Sequence, residues 1–177
     1  MSPFWIFLAI LILQRVSELF LARRNERVVR AKGAREYDEK GYKVIVLMHI
    51  FFFISLISEY VLLARTINHF WVPLLIFFLI AQILRYWAIS ALGYRWNTKI
   101  LVTPNTSPVR TGPYKYLNHP NYLSVVIEIA AIPLIFSCYI TAVIFNVLNL
   151  TLLKRRIRIE EEALSLEKST TRIKSLD

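Results

Sequence analysis

Glycine is scarce in this chain, four residues in 177, and none of the four belongs to a Gly-x-Gly-x-x-Gly run. The phosphate-cradling turn of a soluble dinucleotide-binding fold is therefore missing. Cysteine is scarcer still. A single residue, Cys138, excludes an internal disulfide and any cysteine-built metal site, and it speaks against redox chemistry. Acidic side chains number 12 against 22 Lys and Arg. No internal repeat, low-complexity tract or metal-ligand spacing is present, so the expectation is a chain without a metal.

What the chain has instead is apolar length, with 56% hydrophobic and 14% aromatic residues. This composition belongs in a bilayer, and stability must come from helices packed in lipid. A span needs ~20 apolar residues, a length met by residues 3–22, 43–64 and 70–92. The stretch 122–153 is too long for one comfortable crossing, and Pro133 with the turn-like Ser137-Cys138 interrupts it. Trp71, Trp87 and Trp96 fall where rings favour the headgroup zone.

The formal charge of +10 is no nucleic-acid signal, because the basic residues sit between apolar stretches. Eight Lys and Arg lie in the loop from Arg23 to Lys43, four between Tyr94 and Lys115, and seven from Lys154 onward. The positive-inside rule places all three groups in the cytoplasm only if 122–153 crosses twice, as a short hairpin over 122–137 and 139–153. The expected architecture is thus an all-α integral membrane protein with about five transmembrane helices, residues 1–177 forming one membrane-embedded domain. Its N-terminus lies outside and its C-terminus inside a membrane, here taken as a bacterial cell membrane. The first span is read as retained, since no basic residue precedes it and Arg23-Arg24 follow it.

Two polar clusters stand out. Gly112-Pro113-Tyr114-Lys115-Tyr116-Leu117-Asn118-His119-Pro120-Asn121-Tyr122 is a stiff, aromatic segment directly before a membrane helix; alone, it would read as an interfacial turn. Arg155-Arg156-Ile157-Arg158-Ile159-Glu160-Glu161-Glu162 follows the last span without a linker and should extend it as a helix. There Arg156 and Glu160, and Arg158 and Glu162, are i,i+4 neighbours. Alone, this run would read as a solvated helix end with weak ion pairs.

Together, and in this order, the two clusters resemble the isoprenylcysteine carboxyl methyltransferase family, whose hallmark is a Gly-x-Tyr…Arg-His-Pro-x-Tyr stretch followed, after a membrane hairpin, by an Arg…Glu-Glu helix. The similarity is best over 110–166. Arg15, Glu18, Arg24-Asn25, Gly33, Glu36, His49 and Glu59 also look like the small bacterial and archaeal branch. Asn118 replaces the arginine usual before His-Pro, and the Phe-Gly…Tyr element common after the Glu pair is absent.

The resemblance implies an S-adenosylmethionine-dependent O-methyltransferase with a cytoplasmic site built by the loop and the C-terminal helix. The cofactor contacts it carries over are Thr106, Ser107, Pro108, Val109, Tyr114, Leu117, His119, Pro120, Asn121, Tyr122 and Glu161. Arg156 and Glu160 would be catalytic, and Arg156, Arg158 and Glu128 would meet the acceptor. Aromatic faces at Tyr114 and Tyr122 suit a sulfonium cation, and His119 suits the donor's polar end. The Arg156 guanidinium matches a carboxylate or enolate oxygen as a fork, with Glu160 holding it in line. The implied acceptor is lipophilic, either prenylcysteine-like or a small lipid such as an alkylpyrone or phenol; membrane lipid is the other partner, and nucleic acid is not one.

Two other classes fit the residues alone: an NADPH-dependent membrane reductase of the sterol or steroid type, and a non-catalytic small membrane protein or transporter. Among the intramembrane polar residues, Arg15 and Glu18 are spaced to pair i,i+3, and His49 and His69 read as structural or interfacial.

The charge distribution generates a topological prediction. The N-terminus and Cys138 are expected to face outward, so cysteines introduced at Lys40, Lys115 or Lys168 stay protected from an impermeant maleimide in intact cells, whereas one at Ser2 reacts. Outside labelling of position 168 would mean that 122–153 crosses once.

Overall fold

The structure is a computed structural model describing residues 2–104 and 106–174, with side chains given through Glu167. Among the described residues the helices are α1 (Pro3–Ala31), α2 (Glu39–Leu62), α3 (Trp71–Leu92), α4 (Pro120–Ile135) and α5 (Tyr139–Lys174), and two short strands, β1 (Arg35–Tyr37) and β2 (Ile100–Val102), form an antiparallel pair. The chain is mostly helical, but the all-α expectation is corrected by this pair. Strands of three residues are too short to carry a period-two pattern.

Three segments, Pro3–Ala31, Glu39–Leu62 and Trp71–Arg95, are long and apolar enough to cross a membrane, whereas α4 is shorter. Burial is arranged for a hydrocarbon solvent. Leu13, Phe20, Leu62 and Ile83 are exposed, while Glu18, Glu59, Arg85, Glu128, Asn149 and Arg156 are buried. Lipid offers polar groups no hydrogen bonds, so they must turn inward. The protein is an integral membrane protein.

The first basic stretch is less of a loop than expected. Arg23 to Arg30 continue α1, being mostly good helix formers, and the helix stops where Gly33 adopts φ +80°. There Gly33 N donates to Arg30 O and Ala34 N to Val29 O, the paired bonds of a Schellman C-terminus. The chain forms two compact units by its internal contacts: Met1–Glu39 with Leu92–Pro108 and Ile159–Asp177, and Lys40–Ala91 with Val109–Arg158.

In the first unit, buried Asn25 donates its amide to the carbonyls of Trp96 at 2.8 Å and Gly93 at 3.3 Å, and Asn97 donates to Ala22 O at 3.0 Å. These bonds fasten the turn after α3 to α1. They also turn Trp96 inward to 2% exposure, where the sequence suggested a headgroup ring; Trp71 and Trp87 stay exposed. Lys99 Nζ reaches Glu26 at 2.9 Å and Glu36 at 3.4 Å, and Arg30 pairs with both carboxylates. Burial pushes the Lys99 ammonium down, but these carboxylates outweigh it and hold its pKa above the ordinary value. Ile100 and Val102 of β2 are buried with Ala163 of α5, and Tyr37, Ile159 and Leu164 pack around them. Arg15 and Glu18 pair at 2.7 Å, with Gln14 also donating to Glu18.

In the second unit, α4 ends as the interrupted stretch suggested. Ser137 takes φ +56°, and Ser137 N and Cys138 N donate to Leu134 O and Pro133 O. The next helix, α5, begins with its first amides aimed at a carboxylate from α2. Glu59 accepts from Ile140 N at 3.2 Å, Thr141 N at 2.7 Å and Thr141 Oγ1 at 2.8 Å, and Arg65 donates to it at 3.0 Å. Orphan N–H groups and the helix dipole both favour an anion there. Below this cap Ser55 meets Thr141, and Phe52 meets Phe145 edge to face. α3 and α4 are joined by buried Arg85 and Glu128, at 2.7 Å from Nε, with Gln82 also donating to Glu128 at 2.8 Å.

Replacing Glu59 by leucine orphans several donors at once, so the protein should lose roughly 2–3 kcal/mol in reversible detergent unfolding, while Glu59→Gln retains acceptor capacity and loses much less. Leucine and glutamine variants of equal stability would contradict the cap.

Candidate active site

The aromatic segment is stiff for local reasons. Gly112 takes φ +57°, and a Cβ built there would stand 2.8 Å from Ala91 Cβ and 3.1 Å from Trp87 Nε1; only glycine lets the chain pass α3 so closely. A 3-10 turn over Gly112–Lys115 follows, with Pro113 buried. Pro120 then opens α4 as its first residue, where the missing N–H costs nothing and φ is already helical. His119 is the residue before it, outside the helix.

This geometry brings two of the sequence-predicted residues into contact across 34 positions. Arg156 of α5 donates from Nε to the Tyr122 hydroxyl of α4 at 2.9 Å, and its guanidinium carbon lies 5.6 Å from the Tyr122 ring centre. His119 stacks on the same ring, centroids 5.4 Å apart and planes 12° from parallel. Arg156 is only 6% exposed. A buried guanidinium needs compensation, and the Tyr122 hydroxyl is one of the groups that supplies it. Beside Tyr122 in sequence, Asn121 Oδ1 is buried without a hydrogen-bond partner.

Arg158, which the resemblance placed against the acceptor, is exposed. Glu128 is committed to Arg85 and Gln82. Tyr114 and Val109 are half-buried, whereas Leu117 is exposed. In the first unit, Thr106 donates to Thr103 O at 2.7 Å and Ser107 O accepts from Arg95 at 2.8 Å. Ser107 and Pro108 are exposed, Glu160 is half-buried and Glu161 exposed. His49 Nδ1 lies 2.8 Å from Ile45 O, one turn back on its own helix. Among the described residues no group of three or more His, Cys, Asp or Glu gathers as a metal site. Residue-by-residue reading passed over Asn149, 1% exposed on the same helix as Arg156; an amide inside an apolar run was the available signal.

Residues 74–166, which contain Tyr122, His119 and Arg156, match the model of the isoprenylcysteine carboxyl methyltransferase (ICMT) family. The chain is 47% identical over 161 residues to the uncharacterized protein YpbQ of Bacillus subtilis (strain 168), covering 91% of the chain and 96% of that relative. It is 28% identical over 155 residues to an uncharacterized protein of Haemophilus influenzae (strain ATCC 51907 / DSM 11121 / KW20 / Rd), covering 85% and 88%. No solved structure matches.

Gly112→Ala should lower thermal stability by about 1–3 kcal/mol, the usual range for forcing atoms into a packed, left-handed position. An unchanged melting temperature would show that the segment does not depend on this close passage.

Proposed function

Because the chain belongs to the isoprenylcysteine carboxyl methyltransferase family, we propose that this membrane methyltransferase uses S-adenosylmethionine to methylate a carboxylate or acidic hydroxyl of a lipophilic acceptor. The observation that carries this reading is the buried contact of Arg156 with Tyr122, which joins the two motifs that the family resemblance rests on.

The residues fit the donor. Asn121 Oδ1 is a buried acceptor in want of a donor, and the paired rings of His119 and Tyr122 offer the electron-rich faces that a cation favours. When bound, S-adenosylmethionine supplies an electrophilic methyl group on a sulfonium. Tyr114, His119, Asn121 and Tyr122 hold and orient it in this reading, with Val109, Leu117 and Pro120 as further contacts carried over from the family. Arg156 binds the acceptor's anionic oxygen: its guanidinium forms a fork that matches a carboxylate or enolate, and the Tyr122 hydroxyl fixes it at one nitrogen. Glu160, one turn further along α5, holds the guanidinium in line. Methyl transfer is an in-line displacement, so positioning and exclusion of water supply much of the rate. An ionised acceptor needs no general base.

In the same reading α4 and α5 add two crossings to the three long spans. The N-terminus is then outside a bacterial cell membrane and Arg156 at its cytoplasmic edge. A lipid acceptor, prenylated or a small phenol-like molecule, brings its polar head to that edge and leaves its tail among the helices.

Calorimetry on detergent-purified protein should show S-adenosylmethionine binding that His119→Ala weakens. In a labelled-donor transfer assay Arg156→Lys, which keeps the charge and loses the fork, should lower turnover at least tenfold, or ~1.4 kcal/mol, at nearly unchanged donor affinity. Arg27→Lys, on the exposed side of α1, should behave as wild type. Binding of NADPH in place of S-adenosylmethionine, or full activity of Arg156→Lys, would overturn the proposal.

A further inference from the structure

The buried face of α5 up to Arg156 is continuous: Thr141, Phe145, Asn149, Leu153 and Arg156 are each less than one-tenth exposed and recur at helical spacing. Three of the five are polar. Thr141 is satisfied by Glu59 and Ser55, and Arg156 reaches Tyr122. Asn149 is different. Its side chain is 1% exposed, and its Nδ2 has no hydrogen-bond partner.

This is not for want of a local solution. Asn146, three residues earlier on the same helix, donates to Ala142 O one turn back at 2.7 Å, and Thr151 donates to Val147 O at 2.8 Å. The same return to the preceding turn is the ordinary recourse for a polar side chain in a helix. Asn149 forgoes it. A buried amide donor left without a partner costs on the order of 1–3 kcal/mol, and lipid supplies none. Seven residues separate Asn149 from Arg156, ~10 Å along the axis at 1.5 Å per residue. Side chains lean toward the helix N-terminus, so the arginine inclines toward the asparagine.

We propose that Asn149 is a specificity-determining residue, whose amide N–H binds a second oxygen of the acceptor, a carbonyl lying on the tail side of the oxygen held by Arg156. The acceptor class this assigns is a lipid whose acidic head carries a carbonyl between the methylated oxygen and the alkyl chain. The inference rests on the proposed function for the identity of the site. It adds the demand for a second acceptor atom, which a simple alkylphenol lacks.

Two probes isolate that atom: 4-dodecanoylphenol, with a carbonyl between ring and chain, and 4-dodecylphenol, without one. Leucine shares asparagine's branching and number of side-chain heavy atoms, and an apolar group of like shape can replace an unpaired polar one with little loss. Ligand-free Asn149→Leu should therefore be at least as stable as wild type; Asn149→Ala provides a second, smaller replacement. With 4-dodecanoylphenol both variants should lose at least tenfold in kcat/KM, whereas with 4-dodecylphenol they should change less than twofold. Taking the ratio within each probe removes the difference in phenol acidity. Thermal shift by each probe makes the same comparison without turnover: the carbonyl probe's additional stabilisation of wild type should vanish in the variants. Equal losses with both probes, or a wild type neither methylating nor stabilised by 4-dodecanoylphenol, would overturn the proposal. Failure of wild type to bind S-adenosylmethionine would count against the methyltransferase assignment alone, leaving the probe-binding comparison to decide the role of Asn149.

Discussion

In hydrocarbon a polar side chain has no solvent to fall back on, so one that enters the bilayer is costly unless another part of the protein, or a ligand, meets it. The second unit is organised by that requirement. Glu59 is met by the first amides of α5, Glu128 by Arg85 and Gln82, and Arg156 by Tyr122. Each pairing ties residues of two different helices that lie 34 or more positions apart, and each fixes a different place along the unit. The apolar surfaces face outward and specify little, since one leucine contacts lipid as well as another. Polar partnership decides which helix lies beside which.

The same requirement explains how the candidate site is held. Tyr122 is held in place by the turn before it, where Gly112 permits close passage and Pro120 starts α4. His119 stacks on its ring and Arg156 takes its hydroxyl. The ring is therefore constrained on a face and at its tip. In the proposed function a ring so fixed orients both the donor's sulfonium and the Arg156 guanidinium, which is what an in-line transfer asks of a protein.

Much of this was legible in the chain. The apolar lengths gave the start of each helix to within a few residues, and Ser137-Cys138 marked the break before α5. The Tyr122 and Arg156 motifs alone resemble one family, to which the chain belongs. What escaped had physical reasons. Arg23 to Arg30 looked like a loop because charge ends an apolar run without ending a helix. The strand pair is too short to have a period, and Trp96 turned inward because Asn25, more than 70 positions away, holds its carbonyl. Exposure separated Arg156 from Arg158, which the sequence offered as near equivalents. Asn149 was invisible among its apolar neighbours until its missing partner could be seen.

The central claim is that the Tyr114 to Tyr122 segment holds the methyl donor. Photo-crosslinking of tritiated S-adenosylmethionine to the detergent-purified protein, followed by peptide mapping, tests it most directly. Saturable label in the peptide carrying His119 and Tyr122, displaced by excess unlabelled donor, is the predicted result. Label that is not displaced, or that falls only on peptides outside this segment, would contradict it.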